Sequence, residues 1–307
     1  MTVVVGVDVG GSGLRLRCGY AAGPGPVLGA PGVRIGAGGI DVAALATDAR
    51  RLLDGAGVPA PDVVVWGMRG LLFLADRREV LRTVAGTLGA ARTVVASDAV
   101  TNLVGAVGGL RPGAVVAAGT GAVAFGSDFG SHWNRVDGWG HALGDWGSAA
   151  RLGLDGLAAG LRHRDGLPGG SAVLLAAGVE RFGPVDGWPR LVMTSPDAPR
   201  LLASFAPAVT EAAEDDPVAE RLCASAGAAL GDSLLAAANG LPDPVLVATG
   251  GLAGAERIRR ALEDRLAAAG RSLSPALGGS LDGALHLAHR LAATGSVPEH
   301  AAYLLRT

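Results

Sequence analysis

Lysine is missing from this chain: all 26 basic residues are arginine. That excludes the phosphate-gripping lysine of a Walker A loop, the strand lysine of a protein kinase, Schiff-base chemistry and pyridoxal-phosphate attachment. Any phosphate chemistry must use glycine loops, arginine and metal. Cysteine is almost as scarce. Cys18 and Cys223 lie far apart in sequence, which supports neither a disulfide framework nor a cysteine metal cluster. Although 49% of the residues are hydrophobic, no apolar run reaches the roughly 20 residues that a bilayer-spanning helix needs. The net charge is -2 with no basic tract, so electrostatics gives no reason to expect nucleic acid or a membrane as partner. Met1 leads straight into Val3, Val4 and Val5 without a basic segment or a small-residue cleavage site, and the expected location is the cytoplasm.

What is present suits two modest α/β domains, for which 307 residues suffice. Val3 to Asp8 reads as a buried strand that breaks at Gly10-Gly11-Ser12-Gly13 and resumes in the alternating Leu14-Arg15-Leu16-Arg17-Cys18, a glycine-tipped hairpin. A helix is expected from Asp41 to Leu53, capped by Asp41 and closed by Gly55. Strands follow at Val63–Trp66 and Thr93–Ala96, with a helix near Arg78 to Leu88 between them. About 110 residues after the first hairpin the pattern returns as Ala114–Ala118, Gly119-Thr120-Gly121 and Ala122–Phe125. The next stretch, about 148–240, reads as mainly helical, with Pro- and Gly-rich breaks. A third apolar strand, Val245–Ala248, ends in Thr249-Gly250-Gly251 before a helix from about Ala253. The expected lobes are 1–108 and 109–307, with the last helix free to dock on the first lobe.

Several positions carry candidate chemistry. Asp8, at a strand end beside a glycine turn, can orient hydrated magnesium while backbone N–H groups cradle phosphate oxygens. A tight turn capped by Asp8 explains that segment alone equally well. Gly119-Thr120-Gly121 repeats the arrangement with a hydroxyl added, so two hairpins could grip one polyphosphate. Asp98 follows an apolar strand at its carboxyl end, the usual place for ligand groups in an open α/β sheet. It can take the proton of an alcohol in line with a terminal phosphate, or cap the helix that starts near Ala99. Gly138-Trp139-Gly140-His141-Ala142-Leu143-Gly144-Asp145-Trp146-Gly147-Ser148 combines flexible backbone, stacking surfaces and a carboxylate, a composition suited to a polyol. Gly250 and Gly251 would let a flat nucleobase or ribose approach the backbone, or simply turn the chain into a helix.

Taken in this order, the motifs resemble the N-acetylglucosamine kinase branch of the BadF/BadG/BcrA/BcrD-type ATPase family, within the sugar kinase, heat-shock protein and actin superfamily. The resemblance is strongest over residues 3–17, 95–105, 116–153 and 245–255. It implies two ribonuclease-H-like, actin-like lobes with a nucleotide and substrate cleft between them. It further implies that Gly10, Gly11, Ser12, Gly119, Thr120 and Gly121 hold ATP phosphates, Gly250 and Gly251 the adenosine end, and Asp8 magnesium through water. Asp98 would be the base. Gly119, Thr120, Gly138, Trp139, Gly140, His141, Asp145 and Trp146 would join Asp98 in contacting the sugar. The implied reaction is phosphorylation of an amino sugar at O6, with a homodimer allowed. The lysine-free, arginine- and alanine-rich composition looks like that of a high-GC actinobacterial protein, and actinobacterial glucosamine kinases are similar to this branch, which favours glucosamine over N-acetylglucosamine. Trp146 stands where the family usually has glutamate. Its face could attract an ammonium-bearing sugar or serve packing. Another hexose as substrate, an ATPase activator and a non-catalytic sugar sensor are the competing expectations.

Overall fold

β1 (Val4–Val9) is buried along its whole length, as a near-continuous valine run requires of a strand covered on both faces. In the computed structural model, which describes residues 2–10, 13–32, 35–36, 39–58, 60–73, 75–195 and 197–307, the Gly10 N–H donates to the Gly13 carbonyl at 3.0 Å. The chain then returns antiparallel as β2 (Leu14–Tyr20), where Arg15 is exposed between buried Leu14 and Leu16. β3 (Gly23–Ala30) pairs with β2 at the sheet edge. It had no strand signature because Pro24 and Pro26 interrupt it, and an edge tolerates the ladder bonds that proline removes.

A two-residue ladder of β4 (Ile35–Gly36) and β5 (Gly39–Ile40) precedes α1 (Val42–Gly55). The expected cap is present: the Asp41 carboxylate accepts the Ala44 N–H at 3.0 Å. β6 (Val63–Met68), α2 (Arg77–Leu88), β7 (Arg92–Ser97) and α3 (Asp98–Val107) follow. β6 lies parallel to both β1 and β7. Val5, Val7, Leu16, Leu53, Trp66 and Val95 belong to the core beneath the sheet, where each fully buried Val or Leu contributes about 1.5–3 kcal/mol.

The second unit opens with β8 (Gly113–Ala118), β9 (Ala122–Ser127) and β10 (Trp133–Asp137). A mainly helical stretch follows, as expected: α4 (Ala149–Arg164), α5 (Ala172–Phe182), α6 (Trp188–Thr194), α7 (Ala198–Ala203), α8 (Ala206–Ala212) and α9 (Pro217–Ala238). β11 (Val245–Thr249) lies parallel to β8. A 3-10 turn at Leu252–Gly254 then leads into α10 (Glu256–Ala267). Leu152, Phe205, Leu230, Leu234, Ile258 and Leu262 are among the core residues of this unit.

The chain ends in α11 (Ser280–Thr294) and the edge strand β12 (Leu304–Arg306), antiparallel to β7. Residues 1–112, 128–132 and 276–307 form one compact unit, and residues 113–127 and 133–275 the other. The sheets share one logic. The first has the order β12-β7-β6-β1-β2-β3 and the second β10-β9-β8-β11. In each, a three-strand antiparallel meander is followed by a parallel strand beside its first member, the ribonuclease-H-like arrangement that was expected twice. Among the described residues no helix is long and apolar enough to cross a membrane.

Candidate functional site

In the first unit the carboxyl ends of three parallel strands lie side by side. Asp8 on β1 is level with Gly67 on β6, and Met68 with Ser97 on β7. Asp8, Arg69 and Asp98 therefore stand at or just beyond neighbouring strand ends. The Arg69 N–H donates to the Val9 carbonyl at 2.9 Å, which fixes the turn after β6. Asp8 is buried and ion-paired to Arg15, its cross-strand partner in the hairpin. Gly10 closes that hairpin, whereas Gly11 and Ser12 lie outside the described residues.

Asp98 is the first residue of α3, and the cap position belongs to Ser97. The Asp98 carboxylate nevertheless accepts the Ala99 N–H at 2.9 Å, and the Ser97 hydroxyl reaches the same oxygen at 3.3 Å. Burial pushes the Asp98 carboxyl above its ordinary value. Arg69 opposes the shift, the Asp8 charge reinforces it, and the Ala99 and Ser97 hydrogen bonds act with Arg69. A carboxylate raised in this way is a better proton acceptor than a solvated one. α3 is held from behind by α11. The Thr101 hydroxyl donates to the Asp98 carbonyl at 3.1 Å and lies 2.6 Å from the Ser280 hydroxyl.

In the second unit the β8–β9 turn is Gly119-Thr120-Gly121. The carbonyls of Gly119 and Thr120 accept the Ala149 and Ala150 N–H groups at 2.9 and 3.1 Å, which pins the hairpin to the start of α4. Ser148 caps that helix by accepting the Arg151 N–H at 3.1 Å. A β-carbon on Gly119 would meet nothing within 4 Å, so the tip is open to a ligand. Gly250 follows β11, the neighbour of β8. It holds φ at +92°, and a β-carbon there would stand 2.2 Å from the Ala118 carbonyl oxygen. Packing therefore already requires glycine at 250, whereas Gly251 borders open space.

The block from Gly138 to Ser148 is organised by a residue that sequence reasoning missed. Asp137, buried at the end of β10, accepts the Asp145 N–H at 2.8 Å and the Trp146 N–H at 2.7 Å. Asp145 in turn accepts the Gly140 N–H at 3.0 Å. Both aspartates have φ near +60°, at 61° and 55°, a conformation that costs a non-glycine residue about 1–2 kcal/mol and is offset here by these charge-assisted hydrogen bonds. Trp139 and Trp146 are exposed and each carries an arginine: Arg135 lies 5.0 Å from the Trp139 ring and Arg151 4.3 Å from that of Trp146. His141 is half-buried beside them in sequence. The one local signal for Asp137 was an acid directly before a glycine, since β10 itself gave no strand signature. Arg69 carried a signal too, as a polar residue directly after an apolar strand.

Both cysteines are buried, and burial pushes the Cys223 thiol up to about 11, so neither supplies a thiolate nucleophile at neutral pH. Among the described residues no three His, Cys, Asp or Glu side chains come together as a metal cluster.

The profile of the BadF/BadG/BcrA/BcrD ATPase family matches residues 5–273. A candidate N-acetylglucosamine kinase from Chromobacterium violaceum is 26% identical, with a TM-score of 0.74 over 93% of this chain and 98% of that one. A second, from Porphyromonas gingivalis, is 20% identical, with a TM-score of 0.72 over 96% of this chain and 100% of the other. A ROK family glucokinase from Streptomyces griseus, solved with glucose and AMPPNP, shares the fold at 19% identity. Its TM-score is 0.55 over 94% of this chain and 99% of that one. No curated protein matches the chain.

Proposed function

Because this chain belongs to the BadF/BadG/BcrA/BcrD ATPase family, we propose that it is a sugar kinase, transferring the γ-phosphoryl group of ATP to O6 of an amino sugar, with glucosamine favoured over N-acetylglucosamine. The observation that carries this reading is Asp98: a carboxyl raised by burial at the end of a parallel strand, beside Arg69 and separated from Asp8 by the single strand β6. Such a group can take the proton of an alcohol as it attacks a phosphorus atom in line with the leaving oxygen. Gly10, Gly11, Ser12, Gly119, Thr120 and Gly121 are assigned to the phosphates; the Gly10 and Gly119 N–H groups close their own hairpins onto the Gly13 and Gly121 carbonyls, so donation to phosphate is assigned to the other backbone N–H groups and the hydroxyls. Gly250 and Gly251 are assigned to the adenosine end.

Magnesium fits the donor set at Asp8. One buried carboxylate suits an ion that keeps most of its waters and takes its other ligands from phosphate. When bound with ATP it would neutralise charge on the phosphate oxygens. Asp8 would hold its waters once Arg15, now paired to that carboxylate, gives way to the ion. The sugar is assigned to Gly138, Trp139, Gly140, His141, Asp145 and Trp146, with Asp137 positioning the loop. Arg151 already covers one face of the Trp146 ring, so an ammonium group drawn by cation–π attraction would use the opposite face.

The test is ADP release with magnesium and ATP across glucosamine, N-acetylglucosamine, glucose, mannose and N-acetylmannosamine, each beside a no-sugar control. Stimulation by glucosamine above the others supports the full reading. Stimulation by another sugar keeps the kinase and replaces the substrate. Sugar-independent hydrolysis, or none, rejects the kinase.

A further inference from the structure

Helix α2 and the C-terminal segment line an open cleft of about 560 Å³ on the first unit, and none of its lining residues has a part in the proposed reaction. Arg78 and Arg82 from α2 and Glu299, His300, Leu304 and Arg306 from the chain end are among its walls. The charge is one-sided. Glu299, the acid among the lining residues, is ion-paired to Arg306. Arg78 and Arg82 stand one helical turn apart, an arrangement that repels unless a counter-charge is supplied. Arg82 Nε donates back to the Arg78 carbonyl at 3.4 Å, which keeps it along this face. Asp76, the nearby acid at the start of α2, accepts the Glu79 N–H at 2.9 Å and also attracts Arg82 and Arg77, so it supplies Arg82 with part of a counter-charge at the exposed helix start.

We propose that this cleft binds a small phosphate ester, the phosphate gripped by the guanidinium groups of Arg78 and Arg82 and the organic part resting against Leu81 and Leu305. Paired arginines are suited to a phosphate because each offers a planar fork of N–H donors to its oxygens. The volume lies inside the range of about 300–1,000 Å³ that small-molecule sites occupy. A ligand here would also bear on the strand end that carries Asp98. Leu304 is paired with Ala96 on β7, and the Tyr303 carbonyl accepts the Ser97 N–H at 2.9 Å.

Amide hydrogen exchange on the full chain, with and without inorganic phosphate or glycerol 3-phosphate, provides the test. In the wild type both probes are expected to slow exchange across residues 297–307. In Arg78→Ala/Arg82→Ala that protection is expected to vanish, with calorimetric affinity lower by at least about tenfold. The Arg78→Lys/Arg82→Lys variant keeps the charge and loses the forks, so it should bind with intermediate affinity. Wild-type exchange at 297–307 that ignores both probes overturns the proposal. So does equal protection in the alanine variant, because the ligand would then act from elsewhere.

Discussion

The hydroxyls of Thr101 and Ser280 lie 2.6 Å apart, joining α3 to α11 across 179 residues of sequence. One turn along α11, Gly283 lets the helices touch: a β-carbon there would stand 1.9 Å from the Thr101 carbonyl oxygen. Gly283→Ala must therefore push α11 away from the helix that begins with Asp98. A loss of about 1–3 kcal/mol is expected for such overpacking, read as a lower urea midpoint at unchanged slope. Turnover should fall with it. An unchanged midpoint would show that α11 yields freely and does not brace Asp98.

Asp98→Asn nearly preserves shape while removing the proton acceptor. ATP and sugar binding should survive, and turnover should fall by about 10²–10⁴-fold, the usual weight of a general base. Single-turnover kinetics beside equilibrium binding would separate the two effects. Turnover near that of the wild type would remove Asp98 from the mechanism.

The pH dependence follows from the causes of the Asp98 shift. Burial and the Asp8 charge raise its carboxyl above 3.8 while Arg69 lowers it. The acidic limb of kcat/KM, which reports the free enzyme, should lie above the ordinary carboxylate value, and Arg69→Gln should move it higher still. Movement to lower pH would mean that Arg69 does not act on the base. Stability has its own sign. A carboxyl raised on folding contributes stability when protonated and loses it as pH rises through the folded value. Asp98→Asn should therefore be more stable than the wild type at neutral pH, with the difference shrinking in acid.

How much of this was legible in the sequence depended on whether a residue's role was local. The run Val4–Val9, the glycine turn after it and the acid after β7 announce themselves because burial on both faces, tight turning and strand-end position are properties of a few consecutive residues. β3 was hidden by Pro24 and Pro26, β10 by its half-exposed, polar Trp133–Asp137 composition, and β12 by having only three residues. Asp137 was missed because its function lies in two N–H groups eight and nine residues later. The bracing of α3 by α11 was equally invisible, since nothing near Thr101 points to residues 280–283.

Trp146 can be tested as the selector between amino sugars. Its ring is exposed and holds the Arg151 guanidinium at 4.3 Å, while Arg151 also bonds Asp155 at 3.1 Å. Trp146→Leu removes the aromatic face without adding a charge that could itself attract an ammonium group. If the face selects an ammonium sugar, the ratio of kcat/KM for glucosamine to that for N-acetylglucosamine should fall, by about 2–5-fold for an exposed cation–π contact. An unchanged ratio would leave Trp146 as packing for Arg151.

Gly250 and Gly251 allow packing and ligand contact to be told apart at neighbouring positions. Gly250→Ala places a β-carbon 2.2 Å from the Ala118 carbonyl oxygen, on a backbone whose φ of +92° disfavours any side chain. Strain of this kind costs about 1–3 kcal/mol, so the thermal midpoint should drop whether or not nucleotide is present. Gly251→Ala meets no protein atom within 4 Å beyond its chain neighbours and should leave the stability of the free protein within about 0.5 kcal/mol of the wild type. If the adenosine end rests on Gly251, the added methyl should still weaken ATP, raising its KM at least severalfold while the sugar KM stays level. A Gly251→Ala enzyme with wild-type ATP KM would move the adenosine away from this turn, and Gly250 would then owe its identity to β8 alone.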